Sequence, residues 1–180
     1  DLPKDAHKID VEDSAEMLEY VSDSIRIAKK GKLSKATLVR DEAIHRIQKK
    51  PYLFMAAAVS DYVPEFVQEG KLKKDALGER FELSMKQNID ILGSIDKEGN
   101  SVVGFKAEMD ASKALSNASE MLVRKNLDAV CLNVLKDSSS FGSVDNAVEF
   151  LSKSATVSIP RSDKLSVAFE ILKNAKNVEA

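Results

Sequence analysis

Residues able to do chemistry concentrate where apolar runs end. The run YLFMAAAV, residues 52–59, stops at Ser60-Asp61-Tyr62, and Lys71, Lys73 and Lys74 begin ten residues after Asp61. An acid at the carboxyl end of a strand can hold a ribose hydroxyl, a magnesium ion or a helix N-terminus, although a capping or turn acid is the commoner role. Lysines on a Gly-flanked loop can close over polyphosphate as point charges, or form a plain solvated charge run. The three alanines, residues 56–58, leave room for a flat group to reach the backbone or for a helix to pack closely. Phe105 follows Gly104 at the end of another apolar run, where it can face a base or fill core. Lys125 and Asp128 flank a helix–strand junction, a place where a lysine is also expected for the helix dipole alone.

Other chemistries lack their residues. His7 and His45 lie far apart without metal-ligand spacing, which argues against a transition-metal site. No P-loop, G-x-G-x-x-G or nucleophile elbow occurs. The single cysteine, Cys131, excludes an internal disulfide and a cysteine zinc site, and its place in DAVCLNVL suits a small core hydrophobe better than a nucleophile. A formal charge of −2 argues against a surface built to follow nucleic acid. No apolar stretch reaches the roughly 18 residues of a membrane span, and no signal peptide is visible. The expectation is a cytoplasmic protein with no nucleic-acid or membrane partner.

The elements that must position these residues alternate. At 180 residues and 43% apolar the chain can form one domain, 1–180, with a substantial core. HKIDVE reads as a short strand; Asp13 with Glu16 predicts a helix start, and Met17, Leu18, Val21, Ile25 and Ala28 recur at helical spacing up to Gly31. A charged, weakly patterned helix is expected over 35–49. YLFMAAAV reads as one buried strand, residues 62–80 as a long flexible flap, RFELS as a strand, and NIDILGSIDKEG as a helix ended by Gly99. SVVGFKAE is the next buried strand, and Asp110 caps a helix over 111–126 with Leu115, Ala118 and Leu122 on one side. DAVCLNVL is a further strand, AVEFLS and ATVSIP suit a hairpin, and a last helix over 164–173 carries Leu165, Ala168, Phe169 and Leu172. This order predicts an α/β fold, a Rossmann-like, mainly parallel sheet with helices on both faces and a C-terminal hairpin, whose ligands sit at the carboxyl ends of strands.

Taken together, the motifs resemble phosphopantothenoylcysteine synthetase, or phosphopantothenate–cysteine ligase, which in many bacteria is the C-terminal domain of a bifunctional coenzyme A biosynthesis flavoprotein. AAAVSDYVPE…GKLKK resembles that family's AAAVADY…KIKK. In the same order, QNIDIL resembles KNPDIL, VVGFKAE resembles VGFAAET, and RKNLDAVCLN resembles RKNLDLIVAN. FGSVDNAVEFL and VEDSAEML also have counterparts; only residues 22–50 appear longer than the family pattern.

The resemblance implies ligation of 4′-phosphopantothenate to L-cysteine with CTP and magnesium through an acyl-cytidylate, by a homodimer, with a flavin-dependent decarboxylase domain fused or associated and no FMN in this domain. It implies that Met55, Ala56 and Ala57 line the cytosine, that Asp61 contacts the nucleotide or its metal, and that Lys71 is the flap lysine needed for turnover. Asn88, Ile89, Asp90, Ile91 and Leu92 would bind the nucleotide, with Phe105 beside it and Lys125 near the phosphates. Asn133, Lys73 and Lys74 are secondary candidates. Three departures stand out. The family's opening Gly-Gly-Thr-x-Glu and Asn-x-Ser-Ser-Gly segments are not among the 180 residues, so the fragment alone is expected to be inactive. Met121 replaces a phosphate-side lysine, and Ile89 replaces a proline. A non-catalytic nucleotide-binding α/β module is the alternative, and a dehydrogenase a more distant one. Eukaryotic relatives favour ATP, so the nucleotide is not fixed by these residues.

Overall fold

The computed structural model describes residues 4, 6–35, 44–47, 50–66, 70–73, 75, 78–135 and 143–178. The order is α1 (Ser14–Lys29), β1 (Lys32–Lys35), β2 (Ile44–Ile47), β3 (Tyr52–Met55), β4 (Tyr62–Pro64), β5 (Met85–Gln87), α2 (Ile91–Ser94), β6 (Ser101–Glu108), α3 (Ala111–Arg124), β7 (Ala129–Val134), β8 (Asp145–Ser152), β9 (Thr156–Asp163) and α4 (Lys164–Asn177). A five-stranded sheet runs β3-β6-β7-β8-β9. β3, β6 and β7 are parallel, and the β8–β9 hairpin joins antiparallel to β7. The sheet is therefore mixed, with the parallel strands on the side that carries the candidate site.

Strand alternation divides the core in two. Val102, Val130, Leu132 and Leu151 join Leu92, Ala114, Ala118, Leu122 and Leu127 beneath α1, α2 and α3. Val103, Cys131, Val148 and Phe150 face the other way, onto Val167, Ile171 and Ala175 of α4. The strands read as continuous apolar runs because both faces are covered. Cys131 is buried, and loss of solvation pushes its thiol up to about 12, which leaves it an inert core group.

The caps follow the sequence. Asp13 accepts from the Glu16 amide at 2.8 Å while the Glu16 carboxylate accepts from the Glu12 amide at 2.7 Å, a reciprocal start for α1. Gly31, at φ 66, follows its end. Asp110 and Asp163 cap α3 and α4 through Ser112 and through Leu165 and Ser166.

Several boundaries differ from expectation. HKIDVE forms no strand; Ile9 and Val11 instead line an apolar cleft with Met17, Tyr20 and Tyr52. The expected helix over 35–49 is absent from its described part, where β2 pairs with β1 from Lys35↔Ile44 to Lys32↔Ile47. A ribbon satisfies that backbone locally, whereas a weakly patterned helix has no apolar face to bury. β3 ends at Met55, before the alanines, because the backbone then turns towards Asn88: Ser60 and Asp61 carbonyls accept from it at 2.8 Å each. The flap begins with β4, and the strand expected at 80–84 lies at β5, set by the register Pro64↔Met85. The helix towards Gly99 lasts one turn, since the Asp96 carboxylate accepts from the Glu98 amide at 3.0 Å and forms a competing turn. On α4, Leu165, Phe169 and Leu172 are exposed, and Leu115 on α3 likewise; the helices are rotated so that Val167, Ile171, Ala175 and Ala114 pack instead.

Candidate functional site

The parallel strands deliver their carboxyl ends to one rim, and a cleft of about 610 Å³ opens there on the α3 side, a size within the usual range for small-molecule sites. Its walls include Met55, Ala57, Ala58, Asp61, Asn88, Ile89, Asp90, Ile91, Leu92, Phe105 and Lys125. Residues from β3 and its exit loop, the β5–α2 corner, the end of β6 and the end of α3 thus converge.

Local rules place each of them. Lys125 caps α3, and Asn126 follows in the left-handed region at φ 46. The Leu127 amide donates to Leu122 O at 2.9 Å and the Asn126 amide to Val123 O at 3.0 Å, a Schellman ending in which asparagine does glycine's work. Leu127 and Leu122 are both buried, so the apolar contact of that motif anchors the turn. From the turn Lys125 Nζ reaches Asp90 Oδ1 at 2.9 Å. Asp90 in turn caps α2, accepting from the Gly93 amide at 3.0 Å. Burial works to raise the Asp90 carboxyl, but the Lys125 hydrogen bond, the Gly93 amide and the charges of Lys125 and Arg124 together hold it below its ordinary range.

Asn88 is a clamp. Its Nδ2 donates to Ser14 Oγ and to Ser60 O, both at 2.8 Å, while its Oδ1 accepts from the Ile89 amide at 2.8 Å. With its donors used inside the protein, its side chain fixes the cleft wall to the start of α1. Gly104 allows β6 to approach α3: a Cβ there would lie 2.8 Å from Leu127 Cδ1 and 2.9 Å from Met121 Cε. Among the described residues the Asp61 carboxylate has no hydrogen-bond or ion-pair partner, and it stands exposed at the cleft.

Not every candidate joins this cleft. Ala56 and Asn133 line a second cavity of about 600 Å³ on the α4 side, with Phe54, Asn146, Lys164 and Ile171. Ala57, Ala58, Phe105, Lys106 and Ala107 border both cavities. Lys71 and Lys73 are exposed and line neither. Lys74 lies outside the described residues. The cleft residues missed by sequence reasoning include two cations, Lys106 and Arg124. Strand alternation puts Lys106 on the same face as Gly104, but which helix that face meets is set by packing; Arg124 was legible only as the neighbour of Lys125.

Among the described residues no group of three His, Cys, Asp or Glu side chains is gathered for a metal ion, and no helix is long and apolar enough to cross a membrane. A magnesium ion needs less than such a group, because it commonly arrives on substrate phosphates and takes one or two carboxylates. The free Asp61 carboxylate fits that requirement.

Residues 27–178 match the family described as DNA/pantothenate metabolism flavoprotein C-terminal domain. A relative from Borreliella burgdorferi, named Coenzyme A biosynthesis bifunctional protein CoaBC, is 33% identical over 145 residues, 79% of this chain and 36% of that protein. The chain therefore spans about a third of the length of the curated relatives it matches. The solved C-terminal domain of a CoaBC protein shares the fold at a TM-score of 0.61 and 23% identity, covering 95% of this chain and 65% of that one. A Cab2 mutant solved in complex with phosphopantothenate-cysteine aligns at a TM-score of 0.52 and 21% identity, over 71% of this chain and 44% of that one.

Proposed function

The chain belongs to the DNA/pantothenate metabolism flavoprotein C-terminal domain family, and from that membership we propose that it carries the phosphopantothenate–cysteine ligase step of coenzyme A biosynthesis. The observation that supports this most directly is the convergence of Asp61, residues 88–92, Phe105 and Lys125 on one cleft at the ends of parallel strands. The complex of a fold relative with phosphopantothenate-cysteine points to the same chemistry.

In this reading CTP occupies the cleft with its base against Met55 and Ala57, its ribose and magnesium towards Asp61, and its phosphates towards Lys125. The phosphopantothenate carboxylate attacks the α-phosphorus, pyrophosphate leaves, and an acyl-cytidylate forms. The amine of cysteine then displaces CMP from the mixed anhydride. Two anions must meet in the first step, so metal and lysine charge serve mainly to position and neutralise them. Magnesium supplies charge on the phosphate oxygens; the Asp61 carboxylate is the protein group suited to hold it. Lys71, outside the cleft here, would act from a flap that closes on the bound nucleotide and excludes water. Ile91 and Leu92 have buried side chains, so in this reading they would meet the nucleotide through their backbone.

β3, which brings Met55 to the cleft, is an outermost strand of the five-stranded sheet with β6 as its sheet neighbour. A homodimer and an associated flavin-dependent decarboxylase domain complete the proposal. Met121, in place of a phosphate-side lysine, favours a second reading in which the chain binds nucleotide without catalysis.

Ligand-induced shifts in melting temperature test the nucleotide. CTP is expected to raise it more than ATP or NAD does; a larger shift with NAD would sink the ligase reading. In a protein of the curated relatives' full length, CMP release should require both phosphopantothenate and CTP, and no release with both present would favour the non-catalytic reading. In that whole protein Lys71→Gln should cut turnover by roughly a hundredfold or more without changing the melting temperature; near-normal turnover removes Lys71 from the mechanism.

A further inference from the structure

A third cation of the cleft arises from β6 rather than from α3 or the flap. Gly104 packs against Leu127, Met121 and Leu92 on the α3 side. By strand alternation Lys106 and Glu108 project to that same side. Lys106 Nζ lies 3.0 Å from Glu108 Oε1, and its side chain is only 28% exposed. The same Glu108 oxygen accepts from Asn117 Nδ2 of α3 at 2.9 Å. The Asn117 hydrogen bond and then the Lys106 hydrogen bond and charge outweigh desolvation and the neighbouring Asp110 charge, and keep the Glu108 carboxyl ionised below its usual range. Lys106 is thus held from one side by a fixed carboxylate, and an ammonium has three donors. Its remaining donors are available where the stem borders the cleft.

With its stem largely buried and its ammonium fixed by Glu108, Lys106 has already given up much of the conformational freedom that binding a ligand would otherwise cost. Its neighbours along α3 strengthen the assignment. Met121, whose methyl lies against Gly104, presents no charge, so the cleft wall between Asn117 and Lys125 takes its cation from the facing strand. Arg124 and Lys125 then supply charge from the helix end, so that three cations border the cleft against the carboxylates of Asp61 and Asp90.

We propose that Lys106 is a phosphate-binding residue of this cleft, positioned by Glu108 and Asn117, and that it supplies charge from β6 to a wall where α3 presents the uncharged Met121. The inference rests on the nucleotide reading of the site but not on the identity of the base.

Binding of CTP, CMP, cytidine and inorganic tripolyphosphate to wild type and Lys106→Met, measured by calorimetry on the whole protein, tests it. Lys106→Met should weaken CTP and tripolyphosphate by about tenfold, the scale of one charge-assisted hydrogen bond, while cytidine binds as before. Equal weakening of cytidine, or unchanged CTP and tripolyphosphate, overturns the assignment while the nucleotide reading survives. If the wild type prefers ATP, the same comparison with ATP and adenosine decides the matter, and the choice of CTP fails alone. Wild type that binds no triphosphate overturns both. Should Lys106→Met not fold, the ε-ammonium signal of wild-type Lys106, assigned by its absence in Lys106→Arg, should move on adding tripolyphosphate and not cytidine; a signal indifferent to tripolyphosphate overturns the assignment.

Discussion

The two faces of the sheet bury similar side chains but carry different chemistry. Towards α3, Val102, Val130 and Leu132 lie under a roof that ends in charged caps. Towards α4, Val103, Cys131 and Phe150 lie under a helix whose outward side is Leu165, Phe169 and Leu172. Both strand-end cavities are of similar size, yet Asp61, Asp90, Arg124 and Lys125 all border the α3-side one. Apolar burial is therefore not what distinguishes the site. The difference arises at helix ends: the C-terminus of α3 and the N-terminus of α2 meet over β6, and their capping residues pair with each other as Lys125 and Asp90.

That comparison can be tested from both sides. Leu127→Ala and Ile171→Ala each empty a buried position and should each cost about 3 kcal/mol in urea denaturation. Only Leu127→Ala, which loosens the turn holding Lys125, should also weaken the nucleotide binding proposed for the α3-side cleft; equal weakening by Ile171→Ala would erase the distinction between the faces. Gly104→Ala should destabilise by about 2 kcal/mol, because its methyl would press on Leu127 and Met121. A neutral result in a thermal melt would mean that the ends of the Leu127 and Met121 side chains can turn aside.

Asp90→Asn should cost about 1 kcal/mol or less, because the carboxylate is half exposed and its ion pair is screened. The pH dependence has a definite sign. The folded Asp90 carboxyl lies below its ordinary 3.8, so its contribution is complete above that value and disappears as pH falls through the lower folded value. The wild type should accordingly lose its advantage over Asp90→Asn in acid; a constant gap across that range would rule out the titration. Phe169→Ser should change stability by no more than about 0.5 kcal/mol, since Phe169 is exposed in the monomer. A larger loss that depends on protein concentration would show that a second chain covers α4.

Much of the fold was legible because its signals are local. Asp13, Asp110 and the apolar runs at β6 and β7 specify their elements through capping and period alone. Boundaries failed where a contact from elsewhere intervened. Asn88 draws residues 60 and 61 away from the sheet, so β3 stops short of its alanines. The side of α4 that packs could not be read, because Val167, Ile171 and Ala175 compete with an equally apolar stripe on the same helix. The loss of the helix over 35–49 has the same character, with backbone pairing to β1 outweighing weak helical propensity.

For the candidate site, motif order singled out Asp61, Asp90, Phe105 and Lys125, which no spacing connects and which the fold brings to one cleft. By itself the sequence determined the residue types at each strand end and the caps that hold them, because these depend on neighbours within a few positions. Only the tertiary structure decided that Ala56 and Asn133 lie across the sheet from Asp90, that Asn88 spends its side chain on the protein, and that Lys106 joins the cleft. Those outcomes depend on which face of a strand meets which helix, and the packing of distant segments sets that.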